Sequence, residues 1–238
     1  MELNCDMGEA FGIYSFGADE ALMAHVGLAN VACGFHGGDP VVLQETVRLA
    51  RQHGVRVGAH PSYPDRQGFG RRPMEMERSE LAACLIYQIG ALCGFLRAEG
   101  LQLSHVKPHG ALYGRAARDR DVASAVADAA SVFGVPVMGM AGTVHEAVYT
   151  ERGLHLIAEY YADLDYDDDG GLIITRKHVA YDPKVVVERV LRVMRDGVAV
   201  SASGKEIPMR ADTVCVHSDT PGAAELAAAV AAVLNGAA

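Results

Sequence analysis

Short apolar runs alternate along the chain with longer amphipathic stretches, an order that predicts a parallel sheet whose strands are joined by crossover helices. The runs fall at residues 2–7, 28–33, 55–59, 103–107, 136–140, 154–159 and 212–217. The chain has 238 residues, close to the ~250 typical of a (β/α) barrel. The expectation is an α/β fold, a seven-stranded TIM-like (β/α) barrel, in one domain spanning 1–238.

Helix starts are marked between the runs. Asp39-Pro40, Asp182-Pro183 and Thr220-Pro221 each set a capping oxygen before a proline, which suits the first helical position because the amide there has no partner to lose. Behind them Val42, Leu43 and Val47, then Val186, Val190 and Met194, then Leu226, Val230 and Val233 keep helical spacing. Gly54, Gly197 and Gly236 supply helix ends. The longest helix is expected over 77–99, with Leu81, Leu85, Ile89, Leu92 and Leu96 facing the core and Gly100 closing it.

Two stretches break the rhythm. Residues 61–73 are too rich in Gly and Pro for either regular element, and loops after barrel strands are where binding residues lie. Around 163–178, Asp163, Asp165 and Asp167-Asp168-Asp169 precede Gly170-Gly171 and Leu172-Ile173-Ile174, which reads as an inserted hairpin or loop with a solvated acidic turn. A calcium loop would need a glutamate at its twelfth position, and none is there.

The nine residues from His105 to Tyr113 gather a cation, two imidazoles and a phenol around Pro108 and Gly110. Residues two apart in an extended chain share a face, so His105, Lys107 and His109 should point the same way. Other strands also deliver polar groups at their carboxyl ends: Asn4 and Asp6, His36 after the second strand, His60, Glu159 with Asp163, and His217 with Asp219. Their amino ends are mostly apolar. In a parallel barrel those carboxyl ends open on one rim, where active sites of this architecture are assembled.

Charge and composition exclude several roles. A net charge of −9 with 21 Lys and Arg argues against nucleic acid or an anionic membrane as partner. No apolar run reaches the roughly 18 residues that span a bilayer, and the chain begins on a strand-like segment, so a cytoplasmic protein is expected. Five cysteines without C-x-x-C spacing suggest neither a disulfide framework nor a zinc knuckle. The small side chains of 223–232 suit a close helix contact within one protomer or in a homo-oligomer.

Several longer motifs point further: Leu3-Asn4-Cys5-Asp6-Met7-Gly8-Glu9, Ala29-Asn30-Val31-Ala32-Cys33-Gly34-Phe35-His36, Gly58-Ala59-His60-Pro61, Tyr63-Pro64-Asp65 with Gln67-Gly68-Phe69-Gly70-Arg71-Arg72, Val106 to Tyr113, and Arg210 through His217 to Pro221. Over residues 2–235 the chain resembles the LamB/YcsF family, the A-type component of prokaryotic 5-oxoprolinase. It departs from the family pattern at Leu164 after Asp163, near Val179-Ala180, and at Ser218.

The resemblance implies a barrel of the glycoside hydrolase/deacetylase type. It also implies a subunit that, with B and C type partners and ATP as co-substrate, opens the lactam of 5-oxo-L-proline to L-glutamate. An unstrained five-membered lactam needs a driving reaction, and phosphorylating its oxygen would turn that oxygen into a leaving group. The chain has no Gly-x-x-x-x-Gly-Lys-Ser/Thr loop; Gly68-Phe69-Gly70 with Arg71 and Arg72 is the candidate phosphate cradle. Asp6, His36 and His60 suit either activating water or holding a divalent metal. Lys107 and His109 suit stabilising negative charge on the lactam oxygen or a phosphate. Arg71 is the candidate for the substrate carboxylate, with Asn4, Arg72, Tyr113, Glu159, His217 and Asp219 around it. Two other roles are open: a free-standing metal-dependent amide or ester hydrolase acting on an acetylated sugar, and a non-catalytic substrate-binding subunit.

Overall fold

Each of the seven apolar runs forms a strand of one closed sheet in the computed structural model, which describes residues 1–173 and 180–236. The strands of the barrel are β1 (Glu2–Met7), β2 (Leu28–Ala32), β3 (Arg56–His60), β4 (Leu103–Val106), β5 (Val137–Gly139), β6 (Leu156–Tyr161) and, after a small hairpin of β7 (Val198–Val200) and β8 (Glu206–Pro208), β9 (Thr213–His217). All barrel pairings are parallel, and β9 closes the ring between β6 and β1. Strand β6 starts and ends two residues later than expected, so Glu159 lies within it and Tyr161 at its end.

Among the described residues, eight helices surround the barrel: α1 (Asp19–Met23), α2 (Pro40–His53), α3 (Arg78–Ala98), α4 (Gly110–Ala116), α5 (Arg120–Phe133), α6 (Val144–Glu151), α7 (Pro183–Asp196) and α8 (Ala223–Gly236). Asp39 caps α2 by accepting from the amides of Val41 and Val42 at 2.8 and 3.2 Å. Such a cap contributes about 1 kcal/mol. Asp182 accepts from Lys184 N at 2.9 Å in the same way. The third start is displaced: α8 begins at Ala223, and the Thr220 hydroxyl donates to Asp163 Oδ2 at 2.8 Å.

Helix α3 is, by length and composition, apolar enough to cross a bilayer, although no uninterrupted apolar run of that length is present. Here it is a core helix, with Leu81, Leu85, Ile89, Leu92 and Leu96 all buried. The small residues of α8 are used within the chain, where Ala223, Ala227 and Ala231 are buried and the helix packs on α1, α7 and β1.

The acidic stretch is largely spent on local structure. Tyr166 and Leu172 form an antiparallel bridge, and Asp167 Oδ1 accepts from Asp169 N and Gly171 N at 3.0 and 2.7 Å. Asp168 accepts from Ser201 and Ser203 at 2.6 Å each. The remainder of the expected insertion, 174–178, lies outside the described residues. The hairpin β7–β8 was not foreseen, its strands being only three residues each.

Candidate active site

Side chains two apart on the strands enter the barrel at successive depths. Lowest is a neutral layer. Asn4 Nδ2 donates to Thr213 Oγ1 and to Val214 O at 2.9 and 3.1 Å. Asn30 Nδ2 donates to Asn4 Oδ1 and Asp6 Oδ1 at 2.8 and 2.9 Å. His105 Nε2 donates to Asn30 Oδ1 at 2.7 Å, and burial, then Lys107, push the ring down to about 3. Gly58 makes room for it: a Cβ there would stand 2.1 Å from His105 Nε2.

Above lies a charged layer. Lys107 is 1% exposed; its ammonium is 2.8 Å from Asp6 Oδ1, 2.9 Å from Glu159 Oε1 and 3.1 Å from Cys215 Sγ. Burial alone would discharge it, but Asp6 leads the groups that hold it well above the ordinary lysine range. Burial also disfavours the Asp6 carboxylate, yet His60 and Lys107 together keep it well below its usual range. Across the site His217 Nδ1 lies 3.0 Å from Asp163 Oδ1. That carboxylate outweighs burial and raises His217.

The imidazoles of His36, His60 and His109 pack together. His36 and His109 stack with ring centres 3.7 Å apart, His60 stands edge-on to both, and Glu9 Oε1 is 3.1 Å from His36 Nε2. Burial first and then its imidazole neighbours hold His109 well below its ordinary range; the same holds for His36 with burial and His60.

A narrow cavity, open to solvent, lies over the charged layer, and Asp6, His60, Arg71, Lys107, His109, Tyr113 and His217 contribute to its wall. Seven of the residues singled out by sequence therefore meet at one hollow at the carboxyl ends of the strands, the position where barrel active sites form. The others stand at graded distances. His36 is behind His109, while Asn4 and Glu159 lie deeper in the barrel. Asp219 accepts from Arg71 Nη2 at 2.8 Å. Arg72 is turned away, its side chain half exposed and its Nε 2.9 Å from Asp65 Oδ1.

Two expectations change. The Gly68-Phe69-Gly70 segment does not present its amides to a phosphate: Gly68 N donates to Asp65 Oδ1, Phe69 N to Arg66 O, Gly70 N to Asp65 O and Arg71 N to Gly68 O. Asp6, His36 and His60 do not converge on one cation position either. Donor atoms gather instead as Glu9, His36, His60 and His109, and separately as Asp6, Cys215 and His217. Asp6 already carries the Lys107 ammonium, which repels a second cation.

Sequence reasoning passed over Glu9, Asn30, Tyr161 and Cys215. Alternation from Asn4 and Asp6 points inward again at residue 8, but Gly8 has φ +69° and turns Glu9 inward instead. The glycine was the available signal.

A model of the LamB/YcsF family matches residues 1–238. The chain belongs to the LamB/YcsF family. It is 48% identical over 234 residues to the A-type subunit of 5-oxoprolinase from Chloroflexus aggregans, covering 97% of this chain and 93% of that one. Identity to the lactam utilization protein lamB of Emericella nidulans is 46% over 228 residues, 94% of this chain and 90% of the relative. The crystal structure of the lactam utilization protein from Thermus thermophilus superposes with a TM-score of 0.92 at 44% identity, covering 100% of this chain and 96% of that one. Among family members, then, the seven-stranded parallel barrel is a shared architecture.

Proposed function

We propose that this chain is the A-type component of a cytoplasmic 5-oxoprolinase, opening the lactam of 5-oxo-L-proline to L-glutamate with B and C type partner subunits and ATP. One observation carries the reading: a buried ammonium, a carboxylate and three imidazoles meet at a single hollow in a chain nearly half identical to proteins named for 5-oxoproline and lactam use. Arg71, positioned by Asp219, receives the substrate carboxylate at the lip. Lys107 stabilises negative charge developing on the lactam oxygen, in a site where low dielectric strengthens such interactions. Asp6 and the His60–His109 couple handle the protons of water and of the departing nitrogen. Because the Gly68–Gly70 amides are committed internally, the ATP phosphates are held mainly by the partner subunits.

Calorimetry with 5-oxo-L-proline, together with glutamate formation after addition of the partner subunits and ATP, tests this. Binding by the chain alone and ATP-dependent glutamate formation are expected. Absence of both, or ATP-independent release of acetate from acetylated sugars by the chain alone, would overturn the reading.

A further inference from the structure

The wall of the hollow is divided by origin. Asp6, His60, Lys107, His109 and His217 reach it from the carboxyl ends of β1, β3, β4 and β9. Tyr161, Leu164 and Leu172 reach it from a single stretch, the end of β6 and the segment behind it. All three of these apolar side chains are buried. The Tyr161 ring centre lies 5.0 Å from the Lys107 ammonium and 5.4 Å from the His217 ring centre, so the apolar side of the hollow meets the charged layer directly.

The segment after β6 is built to present these side chains inward. Tyr166 Oη accepts from Tyr161 N at 2.8 Å. Arg189, on α7, donates to the Leu164 carbonyl at 3.3 Å and to Asp165 Oδ1 at 2.9 Å. The Asp165 carbonyl accepts from Ile173 N at 3.0 Å, and Tyr166 pairs with Leu172 across the turn. The acidic groups point elsewhere: Asp165 to Arg189, Asp167 to the amides of its own turn, Asp168 to Ser201 and Ser203. A stretch rich in carboxylates thus spends its charge outside the hollow and sets its leucines inside it.

A five-membered lactam carrying a carboxylate beside its nitrogen is divided in the same way. The N–H, the carbonyl and the carboxylate lie along one edge of the ring, and the opposite edge is two bare methylenes. We infer that Tyr161, Leu164 and Leu172 seat that methylene edge and so decide which cyclic amide the hollow admits. The inference rests on the function proposed above and adds to it the substrate class: a small lactam whose ring carries no other substituent. With the methylenes against this wall, the amide faces Lys107 and the imidazoles, and the carboxylate faces Arg71. Arg71 and Leu172 also border a wider groove outside the hollow, which puts the carboxylate at the mouth and the ring inside.

The same wall excludes other rings. A hydroxyl on either methylene carbon would be buried against leucine without a partner, and a further methylene would overpack the space. A sugar ring, hydroxylated around its edges, meets the first objection several times over.

Calorimetry with the intact chain, and relative kcat/KM with partner subunits and ATP, compare three compounds: 5-oxo-L-proline, its six-membered homologue and its ring-hydroxylated derivative. The unmodified chain should favour 5-oxo-L-proline over each of the others by about 10–200-fold. In Leu164→Ala the preference over the homologue should shrink about tenfold or more, because the variant loses contact with the smaller ring and gains room for the larger. In Leu164→Asn, which offers the hydroxyl a partner, the preference over the hydroxylated compound should shrink instead. Leu172→Ala tests the wall at a second position, and melting temperatures accompany every variant. General damage to the fold lowers all three affinities together, whereas a seat for the methylene edge changes their ratios. Equal use of 5-oxo-L-proline and the homologue by the unmodified chain, or unchanged ratios in both Leu164→Ala and Leu172→Ala, would overturn the inference and leave the proposed function standing. Neither binding nor turnover of any of the three would overturn both.

Discussion

The barrel interior holds two polar layers built from the same strands, and the upper one helps to line a cavity. On β1 the lower layer takes Asn4 and the upper Asp6; at β4 the lower takes His105 within the strand and the upper Lys107 just after it; on β9 the lower takes Thr213 and the upper His217. Both layers are buried. The lower one consists of neutral groups that donate to and accept from one another. The upper one sets carboxylates against an ammonium and imidazoles beneath a cavity. Burial of polar groups is therefore not what marks the site. Retained charge facing a hollow is.

The largest effect expected from breaking this contrast is at Lys107. Lys107→Met leaves Asp6 and Glu159 as buried carboxylates without their cation, a loss of about 3–5 kcal/mol in urea denaturation as well as a loss of activity. Glu159→Gln in the same chain should return part of the stability and none of the activity. A single variant as stable as the unmodified protein would mean that the ammonium does not hold the upper layer together.

A smaller effect sharpens the lower layer. The unfolded chain protonates His105 near its ordinary 6.5, whereas the folded ring resists protonation down to about 3. Between those values the unfolded state binds the extra proton, so stability falls as pH falls. At pH 5 this amounts to about 2 kcal/mol. His217, raised by Asp163, works the other way: its contribution is complete below the unfolded value and is lost as pH rises through the folded one. The loss of stability between about pH 7 and 5 should therefore shrink by about 2 kcal/mol in His105→Gln. An unchanged pH dependence would show that the folded ring is already charged.

Much of this was legible in the sequence because strand periodicity and helix caps are local. The seven runs became the seven barrel strands, and the two-residue spacing of His105, Lys107 and His109 did carry all three into the interior, His105 below the site rather than in it. What was not legible depends on contacts far apart in the chain. Thr220-Pro221 reads as a helix start, but α8 begins at Ala223 and the Thr220 hydroxyl donates to Asp163. Arg72 reads like Arg71 until Asp65 draws it to the surface side. The Gly68–Gly70 loop reads as a phosphate cradle until its amides prove to be spent on Asp65, Arg66 and one another. Glu9 was hidden by a single left-handed glycine.

The most direct test compares one residue from each layer in the same assay. ATP-dependent conversion of 5-oxoproline to glutamate, with the partner subunits present, should fall by ~10² or more in His109→Gln with little change in melting temperature. In His105→Gln the melting temperature should drop while turnover per folded molecule stays near that of the unmodified chain. Equal losses of turnover in both variants, or full activity in His109→Gln, would contradict the division of the barrel into a structural layer and a reactive one.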